Sequence, residues 1–428
     1  MTKVNKWTLG LAAIGLVSLP AVVQAEEKPN QILTALSSTT LSGYVDTSMQ
    51  WQIGPSAGQV ANTPAYAFNT ANKQNGFNLD VVNLVIEKPL DEGTWSAGYK
   101  VDLIFGPNAV GWNNSINNQS TGAGNAGNSD FGIKQAYVAM RVPVGNGIDL
   151  KVGSFDTIIG YEVFNSGSNP NYTRSWGYTI EPTQHTGVLG SYNFNKSIGV
   201  AFGIANTWSA GINQRSGVRE SDLAWLASIT LTAPEDWGFL SGSALYLGIV
   251  DGASLSGSSP DNSNASNDAL GVTSFYAGAT ILSPWKSLKF GVSYDYANYN
   301  SNGSNPNGHS QAVGVYSSFQ ATEKLSLHLR GEWADIADAY ATGGSYVNND
   351  GDVVNGSGGI PSSVLALTGT VQYDLWANVL SRLEIRWDHA LSGARPFGGT
   401  ESGASSTYAS GANEKNAFLI AGNFIYKF

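Results

Sequence analysis

Cysteine is absent from the 428 residues. That excludes a disulfide scaffold, a thiolate metal site and covalent haem attachment. Methionine occurs only 3 times, and charged residues make up 13% of the chain. The formal charge of −10 gives no basic footprint for nucleic acid. Long apolar runs are missing too. After residue 25 nothing approaches the ~20 consecutive apolar residues that a membrane-spanning helix needs, so a helical inner-membrane protein is excluded. A mean hydropathy of −0.12 leaves membrane-crossing strands open, because alternating strands never look hydrophobic on average. No linker or composition shift divides the chain, although its length would ordinarily be split into several domains. One large closed sheet explains that better than several domains.

The N-terminus carries an address. Lys3 and Lys6 precede an apolar stretch from Trp7 to Val23, and Val23-Gln24-Ala25 precedes Glu26-Glu27. This is the pattern of a secretory signal peptide over residues 1–25, with cleavage expected between Ala25 and Glu26. Pro20 and the polar stretch after Ala25 argue against a membrane anchor. Cleavage would remove two lysines and no acid, taking the formal charge from −10 to −12. Residues 26–39 then form a short periplasmic leader. Glycine (51), tryptophan (12) and tyrosine (19) are plentiful, which suits many turns and interfacial aromatic belts.

At the other end, Phe418, Ile420, Gly422, Phe424, Tyr426 and Phe428 alternate with other residues. Period-2 alternation marks a strand with one apolar face, and three aromatics near its end suit the girdle of a membrane barrel. A closing strand that ends on Phe also resembles the terminal signal read by the barrel assembly machinery. Taken alone, the segment would also suit a sandwich strand, the lesser of the two readings.

Alternation predicts about sixteen strands, near 40–53, 77–88, 94–106, 131–142, 147–158, 183–194, 197–208, 219–232, 237–251, 268–282, 285–299, 308–319, 323–337, 362–374, 379–391 and 415–428. The even-numbered connections are tight, among them Pro143-Val144-Gly145-Asn146, Asn195-Lys196, Ala233-Pro234-Glu235-Asp236 and Ser283-Pro284. The odd-numbered ones are mostly long and polar; 114–130 and 252–268 are Asn/Ser/Gly tracts that cannot build a core. A soluble sandwich has no reason to sort loop length by parity. An all-β transmembrane antiparallel β-barrel over 40–428 does, with short periplasmic turns and long extracellular loops.

Alternation also assigns faces. Trp95, Ala97, Tyr99, Val101 and Leu103 are expected toward lipid, with Lys100 and Asp102 toward the lumen. Leu288, Phe290, Val292, Tyr294 and Tyr296 face out against inward Lys289 and Asp295. Ser326, His328, Arg330 and Glu332 face in behind Leu325, Leu327 and Leu329. In the fifteenth strand Arg382, Glu384, Arg386 and Asp388 face in behind Leu383, Ile385 and Trp387. Four charges at period 2 cost ~2–4 kcal/mol each on a lipid face near midplane, and desolvation penalises them in a dry core. They imply a wet lumen; the solvated face of a soluble sheet would fit the same ladder.

Sixteen strands leave an aqueous channel. The connection after the fifth strand, 159–182, is richer in aromatics and ions than the other long loops. Folded inward it would place Glu162, Arg174 and Glu181 at a constriction, where opposing fixed charges set ion preference; the alternative is a surface flap. Arg141, Lys151, Arg330, Arg382 and Arg386 are the wall candidates to face it.

Gln135-Ala136-Tyr137-Val138, the run Val142 to Thr157, Gly160-Tyr161-Glu162 and Thr186-Gly187-Val188 resemble the outer-membrane β-barrel porin family described as OmpL-like. The likeness is clearest over about 130–208, and the barrel pattern extends along the whole chain. It implies an outer-membrane barrel with pore activity in a Gram-negative bacterium and no defined solute. The expectation is a passive diffusion porin for small hydrophilic solutes or ions. It uses no cofactor or metal, its partners are lipid and lipopolysaccharide, and it is a homotrimer by analogy with porins of this strand number. Gly145-Asn146-Gly147 reads as a tight periplasmic turn, and Gly153 as a bulge or thin spot. The competing classes are an adhesin, a sheath for a partner protein and an outer-membrane hydrolase. The four histidines, His185, His309, His328 and His389, read as pore-lining or interfacial, and no H-E-x-x-H occurs. Asn349-Asp350-Gly351-Asp352 has oxygen ligands but not EF-hand spacing, and reads as a solvated turn.

Overall fold

A computed structural model describes residues 39–53, 75–91, 95–109, 131–208, 212, 222–254, 270–300, 308–336, 346–347, 353–354, 363–391, 397, 400–401, 409–410 and 414–428. The signal peptide, nearly all of the leader, the two polar tracts except Gly252–Ser254, and Asn349–Asp352 lie outside them.

Sixteen strands close into one barrel. They are β1 (Thr40–Ile53), β2 (Gly76–Lys88), β3 (Ser96–Phe105), β4 (Phe131–Val142), β5 (Ile148–Asp156), β6 (Gln184–Asn193), β7 (Ile198–Ala205), β8 (Ala224–Thr232), β9 (Ala244–Ser254), β10 (Leu270–Leu282), β11 (Leu288–Asn300), β12 (Gly308–Gln320), β13 (Leu325–Asp335), β14 (Ser363–Trp376), β15 (Val379–Ala390) and β16 (Asn416–Lys427). Each pairs antiparallel with its sequence neighbours. β16 returns to β1 in the register Tyr44↔Lys427 to Ile53↔Phe418, and Gly43 and Phe428 exchange two backbone hydrogen bonds of 3.0 Å. Closure leaves no free sheet edge, as a lipid surround requires. Two small ribbons pair outside the barrel, 346–347 with 353–354 and 400–401 with 409–410.

The strands follow the alternation. Along β13, Leu327 and Leu329 are exposed while Ser326, His328, Arg330 and Glu332 are buried. Loop length sorts by parity as expected. The ninth strand differs: it begins at Ala244, not near 237. Gly238–Leu240 coil into a 3-10 turn, with Gly238 and Gly242 at positive φ, so that connection runs to Ser243. At the other short connections Asn378 adopts φ 65°, and Gly145 and Gly147 make the tight turn, with Gly147 N donating to Val144 O at 3.0 Å. Trp95, Trp237, Trp285 and Trp376 are exposed and flank short connections, which forms an aromatic girdle at that end.

Of the three register shifts in the described strands, one adds Leu375 beside a short connection and the other two bear on the interior. Asp80 is inserted in β2 opposite Asp46/Thr47, and Lys134 in β4 opposite Asp102/Leu103. A bulge re-aims a side chain, and here both extra residues are buried charges.

Gly153 sits at φ 135°, and a Cβ there would run into the Ala136 carbonyl and the Tyr137 Cα. Gly153→Val is expected to cost ~1–3 kcal/mol by backbone strain. It would lower the temperature at which the barrel loses its compact electrophoretic mobility.

Candidate functional site

Residues 157–183, between β5 and β6, lie inside the barrel. They carry a 3-10 turn at Ser166–Ser168 and one α-helix, α1 (Trp176–Ile180), started by Ser175, whose hydroxyl accepts from Tyr178 N at 3.1 Å. The helix packs against β11, β12 and β13. The segment reaches every side of the wall. Ile158 and Ile159 join an apolar cluster with Leu226, Tyr246, Val250 and Tyr276. Phe164 packs with Tyr44, Val81 and Ile425. Trp176 and Ile180 pack on Ala312, Ala334, Ala366, Ala390 and Ala417; a row of small inward residues there leaves room for the indole. Tyr161 stacks on Tyr316 with ring centroids 4.2 Å apart.

Ions and hydrogen bonds fasten the rest. Arg330 is fully buried. Its Nε donates to Glu332 at 2.6 Å, and Nη1 donates to Glu162 at 2.8 Å and to the Thr173 carbonyl at 2.6 Å. Nη2 donates to Thr173 Oγ1 at 3.0 Å and to the Arg174 carbonyl at 3.2 Å. Arg386 pairs with Asp388 at 2.7 Å and donates to the Arg174 carbonyl at 2.6 Å. Arg382 donates to the Ser166 carbonyl at 2.9 Å. The acids hold backbone N–H groups: Glu384 accepts from Tyr172 and Thr173 at 2.6 and 3.0 Å, Glu332 from Trp176 at 2.6 Å, and Glu162 from Ser175 at 2.7 Å. Asp388 also accepts from the Trp176 indole at 2.9 Å. Ionised partners make such bonds roughly twice as strong as neutral ones. Buried charges tolerate the interior only when paired and hydrogen-bonded, and these are both.

The inward ladder on β15 is therefore covered rather than open to lumen water. Arg382, Glu384, Arg386 and Asp388 are each at most 4% exposed, because the loop backbone supplies the partners that water was expected to supply. Of the wall arginines anticipated opposite the loop, Arg330, Arg382 and Arg386 meet it. Arg141 pairs with Asp149 at 2.6 Å beside the short turn, and the Lys151 ammonium lies over the Tyr137 ring. Lys100 lies 3.7 Å from Glu87, and Asp102 accepts from Asn83. Arg174 folds back on its own segment, donating to the Tyr172 carbonyl at 2.9 Å and to the Phe164 carbonyl.

Glu162 and Glu181 border a small, partly open cavity together with Asp156, Phe164 and Tyr178. Asp156 is held by Lys134 at 2.5 Å. Burial, and then the neighbouring Asp295 of β11, push the Glu181 carboxyl well above the usual range.

A sixteen-stranded antiparallel barrel with a connection fastened across its interior has relatives. The family model described as "Putative beta-barrel porin-2, OmpL-like" matches residues 38–428. This chain belongs to that family. It is an outer-membrane porin. Solved outer-membrane proteins share its fold at low identity. An anion-selective porin from Comamonas acidovorans aligns with a TM-score of 0.59 and 11% identity over 91% of this chain and 99% of that one. The outer membrane channel DcaP of Acinetobacter baumannii gives 0.54 and 12% over 91% and 97%. The trimer form of Vibrio cholerae OmpT gives 0.51 and 12% over 91% and 99%. No curated protein sequence matches the porin.

Three contacts of the loop were not singled out from sequence. Asp80 accepts from the Tyr172 hydroxyl at 3.2 Å, and Asp46 from Ser166 Oγ at 2.6 Å. Lys134 is the third, through Asp156. Asp46 obeys alternation and was legible there; the other two sit at the bulges. Ser318 and His328 touch at 2.8 Å, but they are a directly opposed pair on β12 and β13, which brings any two inward side chains together. Gly54-Pro55-Ser56-Ala57-Gly58 has nucleophile-elbow spacing, but it follows β1 into a connection outside the described residues.

Proposed function

We propose that this porin forms a water-filled channel for passive diffusion of small hydrophilic solutes or ions, narrowed by residues 157–183. The observation that carries the reading is the fastening of that connection to opposite walls, with Arg330 at its centre. A barrel that only displayed surface loops would not need the six buried ions of β13 and β15 to hold one connection inside.

The cavity beside the loop is bordered by Asp156, Glu162 and Glu181, with no basic side chain in its lining. Fixed charge at a narrow place sets ion preference, so the channel favours cations. The anion preference named for the Comamonas porin therefore does not carry over. Assembly as a homotrimer is supported by the trimer form of Vibrio cholerae OmpT. Contact with lipid and lipopolysaccharide is supported by the aromatic girdle, and insertion by the assembly machinery by the terminal strand ending on Phe428.

The test is the reversal potential of the purified protein in a planar bilayer across a KCl gradient. Wild type is expected to show cation preference, and Asp156→Asn, which leaves Lys134 with only the more distant Asp102 at 3.7 Å, to move the potential toward anions. An unchanged potential would remove the cavity from the conduction path.

A further inference from the structure

Charge along the barrel axis changes sign. At the level of residues 157–183 acids prevail: among the described residues, buried acidic side chains outnumber buried basic ones nine to five. Asp46, Asp80 and Glu384 hold loop groups directly, and Glu162 and Glu181 belong to the loop itself. Leaving out Glu181, whose carboxyl burial raises, does not remove the excess. Such fixed charge acts on passing ions without lining their path, because low-dielectric walls focus the field into the water beside them.

The opposite holds at the mouth with the short connections, which face the periplasm in outer-membrane barrels. Several ions there cancel. Arg141 pairs with Asp149 at 2.6 Å, Lys100 lies 3.7 Å from Glu87, and Asp374 of β14 offsets Lys427 of β16. Lys151 and Lys289 carry the net charge of this mouth. Lys151 is the fourth residue of β5 and Lys289 the second of β11, each inward by alternation and near the turn that starts its strand. These strands stand six apart around the wall. Asp156 and Asp295 lie five and six residues further along the same two strands. At about 3.3 Å per residue and a tilt of about 40°, that is about 13 and 15 Å along the axis, against a screening length of about 10 Å at 0.1 M salt. The two layers therefore do not cancel; an ion meets them one after the other.

We infer that the channel rectifies: with acids at the loop and Lys151 and Lys289 at the periplasmic mouth, it passes more current when the extracellular side is positive. The sense follows from the order of the layers. With that voltage, cations enter through the acidic layer and anions through the lysines, and both accumulate in between. The reverse voltage draws both kinds of ion out of that space, and each layer resists refilling by the kind it repels.

This inference rests on the channel reading, and the test separates the two. Instantaneous current is recorded in a planar bilayer at equal and opposite voltages, in about 0.1 M and about 1 M KCl, between which the screening length falls from about 10 to about 3 Å. A biotin on Glu235→Cys, in the exposed short connection between β8 and β9, is reached by streptavidin from one side and fixes the orientation; the native chain has no cysteine to compete. Wild type is expected to pass roughly 1.5- to 2-fold more current with the extracellular side positive at the lower salt, and nearly equal currents at the higher. Lys151→Gln combined with Lys289→Gln should abolish the asymmetry and strengthen cation preference, whereas Lys151→Arg, which keeps the charge, should retain it. Symmetric wild-type currents at the lower salt, asymmetry of the opposite sense, or asymmetry that survives the double variant overturns the inference and leaves the channel reading standing. Asymmetry undiminished at the higher salt also overturns it, and that result needs wild type alone. If wild type opens no channels, both fall.

Discussion

Replacing residues 162–178 with a short Gly-Ser bridge is expected to raise single-channel conductance roughly two- to fivefold, because a sixteen-stranded barrel with its interior cleared leaves an open aqueous channel. The barrel itself should survive. Its sixteen strands pair through backbone hydrogen bonds that do not involve the loop, and closure runs through β1 and β16. What the deletion removes is Phe164, Tyr172 and Trp176 from the interior, together with the backbone that covers the β13 and β15 charges. Those charges would then meet water, which costs them little. Ion preference should weaken at the same time, since Glu162 leaves with the segment and Glu181 loses the helix that precedes it. A shortened protein that keeps its compact mobility and conducts like wild type would show that the segment does not narrow the path.

Arg330→Ala is expected to be the most damaging single substitution in the interior. It strands Glu162 and Glu332, both essentially unexposed in the ion pairs, and abandons the carbonyls of Thr173 and Arg174. Breaking a buried pair by removing one partner costs ~3–5 kcal/mol. The loss should fall on the loop before the barrel. Residues 157–183 would become accessible to protease while heat-dependent mobility shifts less. Arg330→Lys retains the charge but not the planar fork that reaches two acids and two carbonyls, so it should give only partial protection. Adding Glu162→Gln and Glu332→Gln to Arg330→Met removes the stranded charges and should restore much of the loss. If the single and triple variants are equally labile, the charge argument is wrong and packing alone holds the loop.

The fold was legible because its signals are periodic. Inward and outward residues of β13 and β15 separate on alternation alone, and parity of loop length supplied the topology. The ninth strand was misplaced where Trp237-Gly238-Phe239-Leu240 looks strand-like, but glycine at positive φ favours a turn. The site was legible in part. The ladder Arg382, Glu384, Arg386 and Asp388 and the loop residue Glu162 all face the interior. What faces them was not readable, because a long connection can dock in many places and no local pattern records which. Asp80 and Lys134 were missed for a different reason. Each is the extra residue of a bulge, so period 2 breaks there and adjacent side chains both turn inward. The wet ladder became a covered one because the loop backbone presents N–H and C=O groups at the spacing of the wall charges. That depends on three-dimensional register rather than composition.

The most direct test of the central claim uses the absence of cysteine. Val163 borders the cavity between the loop and the wall. In a Val163→Cys variant recorded in a planar bilayer, a small charged thiol reagent added to the bath should reduce the conductance of an open channel in a discrete step, and wild type should be indifferent. Complete modification of the cysteine, confirmed by mass, with conductance unchanged would contradict a conduction path past residues 157–183.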